Sequence, residues 1–476
     1  MMKNTIAAIS TPYGEGGVGI IRISGDNAEE ILRKIFVPAV PGDPVNRRMT
    51  YGHIVDEEQN IVDEVLCVLM KKPKTYTAED VVEINCHGGM VPLRKTLELV
   101  LRSGARAAER GEFTKRAFLN GRLDLTQAEA VMDLISAKTD RTYDVAVEQM
   151  EGILSRKIRM LRNMLLDVLV DLTVNIDYPD EDIEELTYRK LFTGLDSVRQ
   201  QIQMLIDSAD TGRILREGLK VAIIGKPNVG KSSLMNGLLR ESRAIVTEIP
   251  GTTRDTIEES LSIRGIPVIL TDTAGIRRTD DKIESIGIER SKASFNEADL
   301  VILVLDGSRE LEQEDYDIME HVNPSRTIVL INKSDLPQVL SASEISSALK
   351  GARTVSGSMK DIEGLKALED CIASRVETDT SARRESILVT NARHRDLLEE
   401  GMRSLCDAID AVLRKEPLEI IEIDVNSAYE RLGEIIGEAV ADDILNEVFS
   451  RFCLAESTVM RHIQIMSFDF LKNICH

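Results

Sequence analysis

The sequence predicts a multidomain chain that combines α/β and all-α parts: an N-terminal α+β domain, a discontinuous helical domain, and an inserted α/β domain with a mostly parallel sheet. Three observations predict this fold class. Short apolar runs alternate with Gly-rich turns at the start, helical periodicity follows, and a block of apolar run, turn and helix interrupts that periodicity. The length of 476 residues corresponds to roughly three domains of about 150 residues. The predicted parts are 1–120 (N-terminal domain), 121–217 and 379–456 (helical domain), 218–378 (inserted domain) and 457–476 (an atypical tail).

The N-terminal domain comes first, and its apolar runs flank turns such as residues 11–19 (TPYGEGGVG), which predicts mixed strands and helices. The helical parts differ, because apolar residues recur there at spacings of three and four. On one predicted helix these residues are Leu154, Ile158, Leu161, Leu165, Val168 and Leu172. Near the end of the chain a four-residue repeat runs through Ile436, Val440, Ile444, Val448 and Phe452. Because neither amphipathic face is stable in water, the two helical parts are expected to pack as one domain.

The charge of the chain limits its function. It has 80 Asp and Glu against 59 Lys and Arg, a formal net charge of −21, which excludes a nucleic-acid binder that acts without help. Basic and acidic residues balance within residues 1–120, so the excess acid lies beyond them. The longest apolar runs are far shorter than the ~20 residues of a membrane span, and the first residues lack an export signal. We therefore expect a cytosolic protein with no membrane segment.

The inserted domain begins with a phosphate-binding motif. An apolar run at residues 221–224 leads into residues 225–232 (GKPNVGKS), which match G-x-x-x-x-G-K-[ST], and an apolar helix follows. In such a loop, backbone N–H groups surround the phosphates, Lys231 adds a catalytic cation, and the Ser232 hydroxyl binds Mg²⁺. The residues predicted to contact the nucleotide here are Asn228, Val229, Gly230, Lys231, Ser232 and Ser233.

Two further motifs follow predicted strands and indicate the base. Asp272, in residues 272–275 (DTAG), can hold the water shell of the metal, and the N–H of Gly275 can meet the γ-phosphate. Asp335, in residues 332–335 (NKSD), can accept both donors of a guanine edge. Adenine lacks that donor pair, so the predicted nucleotide is GTP. The predicted contacts from these motifs are Asp272, Thr273, Ala274, Gly275, Asn332, Lys333 and Asp335, with Ser356 and Gly357 behind the guanine ring.

Hydrolysis of GTP requires a group that orients the attacking water. Many GTPases use a Gln just after the metal-binding turn, but Ile276 stands at that position here. Thr252 and Thr253 lie in the first switch segment, where they contact GTP, and Thr253 is predicted to complete the Mg²⁺ shell. Glu284, in the second switch segment, is the acidic candidate for orienting the water.

These motifs resemble those of the tRNA-modification GTPase family MnmE, also called TrmE. The resemblance extends beyond the inserted domain and covers nearly the whole chain to about Cys453. It rests on residues 7–12 (AAISTP), 76–80 (YTAED), 87–89 (HGG), 111–114 (GEFT), 116–120 (RAFLN), 121–125 (GRLDL), 225–233 (GKPNVGKSS), 251–255 (GTTRD), 272–275, 332–335 and 391–395 (NARHR).

The resemblance implies a Ras-like GTPase domain, the G domain, in a tRNA-modifying protein. Family members form a homodimer through their N-terminal domain. With an FAD-dependent partner subunit, in a heterotetramer, they modify C5 of the wobble uridine, position 34, of certain tRNAs. Their G domains dimerise around K⁺ during hydrolysis, and K⁺ replaces an arginine finger. Carried over by position, Glu284 orients the water and the K⁺ ligands are Asn228, Thr247, Ile249 and Thr252, of which the threonines also contact GTP.

The resemblance also implies a tetrahydrofolate site in the N-terminal domain, at Arg22, Glu83 and Arg122. The chemistry fits, because a carboxylate can hold the amide and amine edge of a pterin while guanidinium groups suit the glutamate tail. Family members often have Lys where Arg122 stands. They also end in Phe-Cys-x-Gly-Lys with a catalytic cysteine next to the folate, whereas Cys453 is followed by Leu454, Ala455, Glu456 and the tail. We hypothesise that GTP hydrolysis is retained while folate use is weakened.

Two other functions stay open at this stage. One is a GTP switch of the ribosome-assembly type without modification activity, which accounts for residues 218–378 and for nothing in the first 120. The other is a folate-dependent one-carbon transferase with a regulatory GTPase. The sequence also leaves open whether the donor is a 5-formyl or a methylene folate, whether the product is an aminomethyl or a carboxymethylaminomethyl uridine, and how hydrolysis is coupled to modification.

Overall fold

The structure is a computed structural model that describes residues 4–12, 14–177, 184–241, 258–272, 298–377, 387–438 and 440–452. This part of the chain forms two compact units. The first contains the described residues up to Met132 and from Ile436 onward, and the second runs from Asp133 to Ile435. Both divisions fall inside the predicted helical domain, and the domain boundaries at 121, 218 and 379 stay predictions.

The first unit is built on a seven-stranded sheet. Its strands are β1 (Ile6–Ile9), β2 (Gly16–Ser24), β3 (Phe36–Pro38), β4 (Met49–Val55), β5 (Ile61–Met70), β6 (Val81–Gly88) and β7 (Arg106–Ala107). They lie in the order β3-β4-β5-β6-β2-β1-β7, and neighbours are antiparallel except for β1 and β7. The predicted α+β class of the N-terminal domain is confirmed.

Helices pack on both sides of part of this sheet. The helices α1 (Ala28–Ile35) and α2 (Met90–Arg102) cover one face, where alternate strand residues such as Val65 and Cys67 form the core. Next along the chain are α3 (Glu112–Leu119) and α4 (Leu125–Ser136). The last described helix, Asp442–Ser450, packs in the same cluster as Leu125 through Phe449, and Phe452 lies just beyond it. We refer to Asp442–Ser450 as the final helix.

The second unit contains a helical bundle and a six-stranded sheet. Its helices are α5 (Asp140–Met150), α6 (Ile153–Asp177), α7 (Glu184–Asp207), α8 (Ala209–Glu217), α9 (Lys231–Glu241), α10 (Gln313–His321), α11 (Ala342–Ala348), α12 (Ile362–Glu377), α13 (Ala392–Leu413) and α14 (Leu418–Ile436). The periodic residues predicted on α6 are all buried. Helices α6 and α7 pack together, and α13 packs against α7. The predicted discontinuous helical domain is therefore confirmed, because α7 precedes the insertion and α13 follows it.

The sheet of the second unit is mostly parallel, as predicted. Its strands are β8 (Leu219–Ile224), β9 (Glu258–Ile263), β10 (Ile266–Asp272), β11 (Leu300–Asp306), β12 (Thr327–Asn332) and β13 (Arg353–Ser356). They lie in the order β13-β12-β11-β8-β10-β9, and only β9 is antiparallel to its neighbour. Successive residues of β8 point to opposite faces of the sheet. Val221 packs in the core beneath α9 and α12, and Ala222 packs in the core beneath α10 and α11. Helices thus cover both faces, which explains why these strands read as continuous apolar runs.

The chain leaves and re-enters the helical bundle at one place. The N–H of Val389, after the insertion, donates to Oγ of Ser208, before it, at 3.1 Å. Gln149 of α5 donates to the carbonyl oxygen of Leu388 at 3.1 Å. A Cβ on Gly212 would lie 2.1 Å from the carbonyl oxygen of Val389, so the two backbones touch.

The four-residue repeat near the end of the chain does not form one helix. Helix α14 ends at Ile436, and the final helix begins at Asp442. A four-residue spacing rotates about 40° per step in a helix of 3.6 residues per turn, so five such residues spread over about 160°, wider than an apolar stripe of about 100°. The buried residues of the final helix are instead Leu445 and Phe449. In the described ranges, no helix is long and apolar enough to cross a membrane.

Candidate functional site

The predicted nucleotide motifs lie at the carboxyl ends of the parallel strands. Strand β8 ends at Ile224, directly before the phosphate-binding loop (P-loop), and β10 ends at Asp272, which pairs with Ile223. Strand β12 ends at Asn332 and β13 at Ser356. Because these strands are parallel, the motifs share one edge of the sheet, where open α/β sheets bind their ligands.

The P-loop, residues 225–230, connects β8 to α9, whose first residue is Lys231. Asn228 has a φ of 62°, a left-handed conformation that Asn tolerates better than most residues. The Lys231 ammonium donates to the carbonyl oxygens of Gly225 at 2.7 Å and Lys226 at 2.8 Å. The loop therefore combines a helix N-terminus with an ammonium group, which suits a polyphosphate.

Residues around the P-loop also fit the two predicted cations. Ser232 and Ser233 are exposed in the first turn of α9, next to Lys231. A serine hydroxyl directly after the P-loop lysine is the group that ligates Mg²⁺ in such loops. Asn228 is exposed as well, and its side-chain amide offers an oxygen of the kind that K⁺ requires.

Asn332 joins the P-loop to the loop that follows β13. Its Nδ2 donates to the carbonyl oxygen of Val229 at 2.8 Å, and its Oδ1 accepts from the N–H of Met359 at 3.1 Å. A Cβ on Gly230, which has a φ of 110°, would lie 2.1 Å from this Nδ2, so the approach requires glycine. Asn332 thus holds the phosphate and base ends of the site together.

Lys333 and Asp335 lie at the base end. Lys333 Nζ donates to Asp306 at 2.6 Å. Burial raises the pKa of Asp306, but hydrogen bonds from Lys333 and neighbouring groups outweigh it and hold the pKa below its ordinary value. The pKa of Asp335 is also lowered, mainly by a hydrogen bond with Ser358, and Lys360 Nζ lies 3.5 Å from its carboxylate. Asp335 is therefore ionised at neutral pH, as an acceptor of guanine donors must be.

An open depression lies beside Asp335. Strand β13 ends there, and the N–H of Gly357 donates to the carbonyl oxygen of Ile331 at 3.0 Å. The lining residues include Ser334, Ser356, Gly357, Ser358 and Lys360. The weak sequence signal at Ser356 and Gly357 therefore falls next to the base-reading motif.

In the first unit, two of the three predicted folate residues lie against one aromatic ring, and the third pairs with one of these two. Arg22 and Glu83 face each other across β2 and β6, with Nη2 of Arg22 2.7 Å from Oε1 of Glu83. The guanidinium carbons of Arg22 and Arg122 lie 5.3 and 4.6 Å from the ring centroid of Tyr76. The ring of Phe113 lies 5.7 Å from Arg22. This cluster offers a carboxylate, two guanidinium groups and aromatic rings, which fits a flat ligand with polar edges and an anionic tail.

Several predicted site residues lie outside the described residues: Thr247, Ile249, Thr252, Thr253, Thr273, Ala274, Gly275, Glu284 and Cys453. Their roles stay predictions. Asp272 is described through its strand, which brings its backbone beside β8. Phe452, the residue before Cys453, is buried and packs closely on Gly111 at the start of α3.

Comparison with known proteins identifies the family. The model for the MnmE helical domain matches residues 125–453, and that for the GTP-binding protein TrmE N-terminus matches residues 5–122. A protein of Alkaliphilus metalliredigens (strain QYMF), named tRNA modification GTPase MnmE, is 51% identical over 460 residues, which are 96% of this chain and 100% of that protein. The chain belongs to the MnmE family. A protein of the same name from Clostridioides difficile (strain 630) is 49% identical over 459 residues, 96% of this chain and 100% of that protein.

The structure adds residues to the MnmE motifs that sequence reasoning missed. Tyr76 is one, and its signal was available, because it begins the motif at residues 76–80. Lys226 is another, since the P-loop pattern leaves its position variable and its partners Glu312 and Asp315 lie far along the chain. Asp306, the partner of Lys333, ends strand β11 and belongs to no motif.

Proposed function

We propose that this chain hydrolyses GTP and, with an FAD-dependent partner subunit, adds an aminomethyl or carboxymethylaminomethyl group to C5 of the wobble uridine, position 34, of certain tRNAs in the cytosol. The coarser statement, that the chain is a GTPase of tRNA modification, rests on its membership of the MnmE family. The observation that carries the proposal is the meeting of the P-loop, Asn332 and Asp335 at one sheet edge in such a chain.

The predicted site residues bind and orient GTP. The P-loop N–H groups and Lys231 hold the phosphates, and Asp335 holds the guanine edge. Ser232, with Thr253, would hold Mg²⁺, and Asn228, with Thr247, Ile249 and Thr252, would hold K⁺. Bound cations neutralise the charge that develops on the phosphates. Glu284 then orients the attacking water.

The cluster at Arg22, Glu83 and Arg122 supports a tetrahydrofolate site for a 5-formyl or methylene donor. Glu83 already pairs with Arg22 at 2.7 Å, so the pterin edge shares this carboxylate with the guanidinium. Cys453 follows Phe452, which is anchored on the same helix that presents Phe113 to Arg22. Glu456 stands where family members have a lysine, three residues after Cys453. A carboxylate at this position repels the carboxylates of folate and weakens its binding.

An exposed sheet face supports the homodimer. Helices α1 and α2 cover one face of the first sheet, and on the other face Met49, Tyr51 and Leu66 are 55%, 46% and 42% exposed. Tyr51 and Leu66 are direct neighbours across β4 and β5. Basic and acidic residues balance in residues 1–120. Two copies of this domain would therefore not repel each other strongly if they dimerised through this face.

The deciding experiment measures wobble uridine in tRNA. In a strain that lacks the gene, mass spectrometry should show position 34 without the aminomethyl-type group, and the wild-type chain should restore it. Asp335→Asn should not restore it at normal GTP levels, because an amide presents a donor to the guanine edge. The matching in vitro result is a shift of nucleotide preference from GTP toward XTP. Intact modification in the deletion strain would reject the proposal.

The cation role has its own test. The GTPase rate of the purified chain is measured with K⁺ and then with Na⁺ at the same ionic strength. We expect a large decrease in Na⁺, because the smaller ion does not match oxygens placed for K⁺. Equal rates in both salts would remove K⁺-dependent dimerisation of the G domains from the proposal and leave GTP binding intact.

A further inference from the structure

Lys226, in the P-loop, carries a buried ammonium group. The side chain is 4% exposed, and Nζ lies 2.6 Å from Oδ2 of Asp315 and 2.8 Å from Oε2 of Glu312. Asp315 is buried as well, whereas Glu312 is 62% exposed. A lysine is rarely buried to this degree unless carboxylates compensate for its lost hydration.

The two carboxylates that hold Lys226 also begin α10. Glu312 is the N-cap residue, its side chain accepts from the backbone of Asp315, and Asp315 accepts from the N–H of Glu312 at 3.0 Å. This reciprocal capping box holds both side chains at the start of α10, where Lys226 contacts them. Burial lowers the pKa of Lys226, but the hydrogen bonds to Asp315 and Glu312 outweigh it and raise the pKa above its ordinary value. The lysine is therefore charged when it makes these contacts.

The backbone of the same residue takes part in the nucleotide site. The carbonyl oxygens of Gly225 and Lys226 accept from Lys231 Nζ at 2.7 and 2.8 Å. On the other side of the loop, Asn332 holds the carbonyl oxygen of Val229. The P-loop is thus fixed at both ends, by Asn332 near α9 and by the Lys226 side chain near β8.

We propose that Lys226 is a positioning residue of the GTPase site, which anchors the first half of the P-loop to the N-terminus of α10 and so pre-organises the loop for nucleotide. The inference rests on the proposed GTPase function. The Lys226 ammonium contacts the start of α10, and the residue acts on the nucleotide through the backbone that it holds. The contact favours GDP and GTP equally, because the P-loop surrounds phosphates that both nucleotides carry.

The experiment measures GDP and GTP dissociation constants with fluorescent nucleotide analogues, and KM and kcat for GTP, on the full-length chain. In Lys226→Met we expect both nucleotides to bind about 10- to 100-fold more weakly and KM to rise in parallel, while kcat at saturating GTP stays within about twofold. Lys226→Arg should restore binding to within about threefold, because a guanidinium reaches the same carboxylates. Unchanged affinity in Lys226→Met would overturn the inference.

Three further variants separate positioning from a loss of folding. Asp315→Asn keeps an acceptor for the helix cap and removes the charge, so it should weaken binding nearly as much as Lys226→Met. The double variant should lose no more than the single ones, since both disrupt one ion pair. Glu312→Gln, at the exposed partner, should have a smaller effect. Additive losses in the double variant would contradict the anchoring role.

Arg213→Met is the matched control. Arg213 pairs with Asp299 at 2.7 Å. Asp299 directly precedes β11, at the amino ends of the parallel strands, whereas the nucleotide motifs lie at their carboxyl ends. Its loss should lower the melting temperature without changing nucleotide affinity. Weaker binding in Arg213→Met, matching that in Lys226→Met, would show that general destabilisation explains both. If the wild-type chain binds no nucleotide, the proposed function fails and the inference with it; normal wild-type binding with unaffected Lys226 variants rejects the inference alone.

Discussion

At the residue scale, the packing of Phe452 requires a glycine at position 111. Gly111 has a φ of 63°, and a Cβ there would lie 2.8 Å from Cγ of Phe452. Gly111→Ala combines left-handed strain of about 1–2 kcal/mol with displacement of a buried ring, so we expect a loss of about 2–4 kcal/mol. Urea unfolding measures the loss, and hydrogen exchange should show faster exchange in the final helix.

Gly121→Ala is the control for this substitution. Gly121 has a φ of 73°, but a Cβ there would meet no atom within 4 Å. Only the backbone strain applies, so the expected loss is about 1–2 kcal/mol, and the final helix should exchange as in the wild type. Equal losses in the two variants would show that Phe452 can move away without cost.

His87 and Asp63 provide a pH-dependent contact. Nδ1 of His87, an exposed residue, lies 2.7 Å from the buried Asp63 carboxylate, and this hydrogen bond is the main cause that raises the pKa of His87. Because the folded pKa exceeds the unfolded value of about 6.5, the stabilisation is fully present below that pH and is lost as pH rises through the folded pKa. NMR titration should show that Asp63→Asn lowers the pKa of His87.

The variant His87→Gln supplies the stability readout. The difference in unfolding free energy between the wild type and this variant should be largest in mild acid and should shrink toward pH 8. Asp63→Asn retains an acceptor for the backbone N–H of His87, which Asp63 now binds at 2.9 Å, so its effect reports the charge. A pKa of His87 that is the same in Asp63→Asn would exclude Asp63 as the cause.

Single residues were predictable from the sequence where a motif requires one chemical group. Lys231, Asn332 and Asp335 are such cases, since their motifs follow strands β8 and β12 as expected. Their roles in phosphate and guanine recognition stay predictions. The roles of Lys226 and Phe452 could not be predicted in this way. Each is defined by partners that only the folded chain brings near, Asp315 for the first and Gly111 for the second.

At the scale of elements, Arg393 caps the C-terminal end of α14. It lies in α13, and its Nη1 and Nη2 donate to the carbonyl oxygens of Glu434 and Ile435, in the last turn of α14, at 3.0 and 3.1 Å. Carbonyl groups in the last turn of a helix generally lack a hydrogen-bond donor within that helix. We expect Arg393→Ala to destabilise the bundle by about 1–3 kcal/mol, with faster hydrogen exchange in the last turn of α14.

Arg395→Ala is the matched control, since it lies two residues away in the same helix. Arg395 pairs with Asp210 and Glu399 at 2.8 Å, and Asp210 is 73% exposed. Exposed ion pairs contribute about 0–1 kcal/mol, so this variant should be close to the wild type in urea unfolding. Equal losses for Arg393→Ala and Arg395→Ala would refute the capping role of Arg393.

The sequence predicted elements well where a single period holds over many residues. The buried face of α6 and the apolar strands β8, β10, β11 and β12 are examples, because burial on one or both faces imposes a visible pattern. The break between α14 and the final helix was not predictable from the four-residue repeat. Helix α14 belongs to the second unit as far as Ile435, and the chain from Ile436 onward belongs to the first. The spacing of apolar residues does not show where the chain passes from one core to the other.

At the scale of the whole molecule, the net charge of −21 conflicts with a tRNA substrate unless another protein contributes cations. We therefore expect the isolated chain to bind tRNA weakly at physiological salt and its complex with the proposed FAD-dependent partner to bind it much more tightly. Titration of labelled tRNA at several salt concentrations measures both. Tight, salt-resistant binding by the isolated chain would contradict this expectation.

The place where the chain leaves and re-enters the helical bundle bears on the origin of this architecture. Ser208 and Val389 are hydrogen-bonded to each other, although an entire domain separates them in the sequence. Ends that touch can be joined by a short loop or by a complete domain, with little difference for the surrounding packing. The G domain therefore has the topology of a cassette, and an ancestral gene could have acquired it without redesign of the helices that receive it.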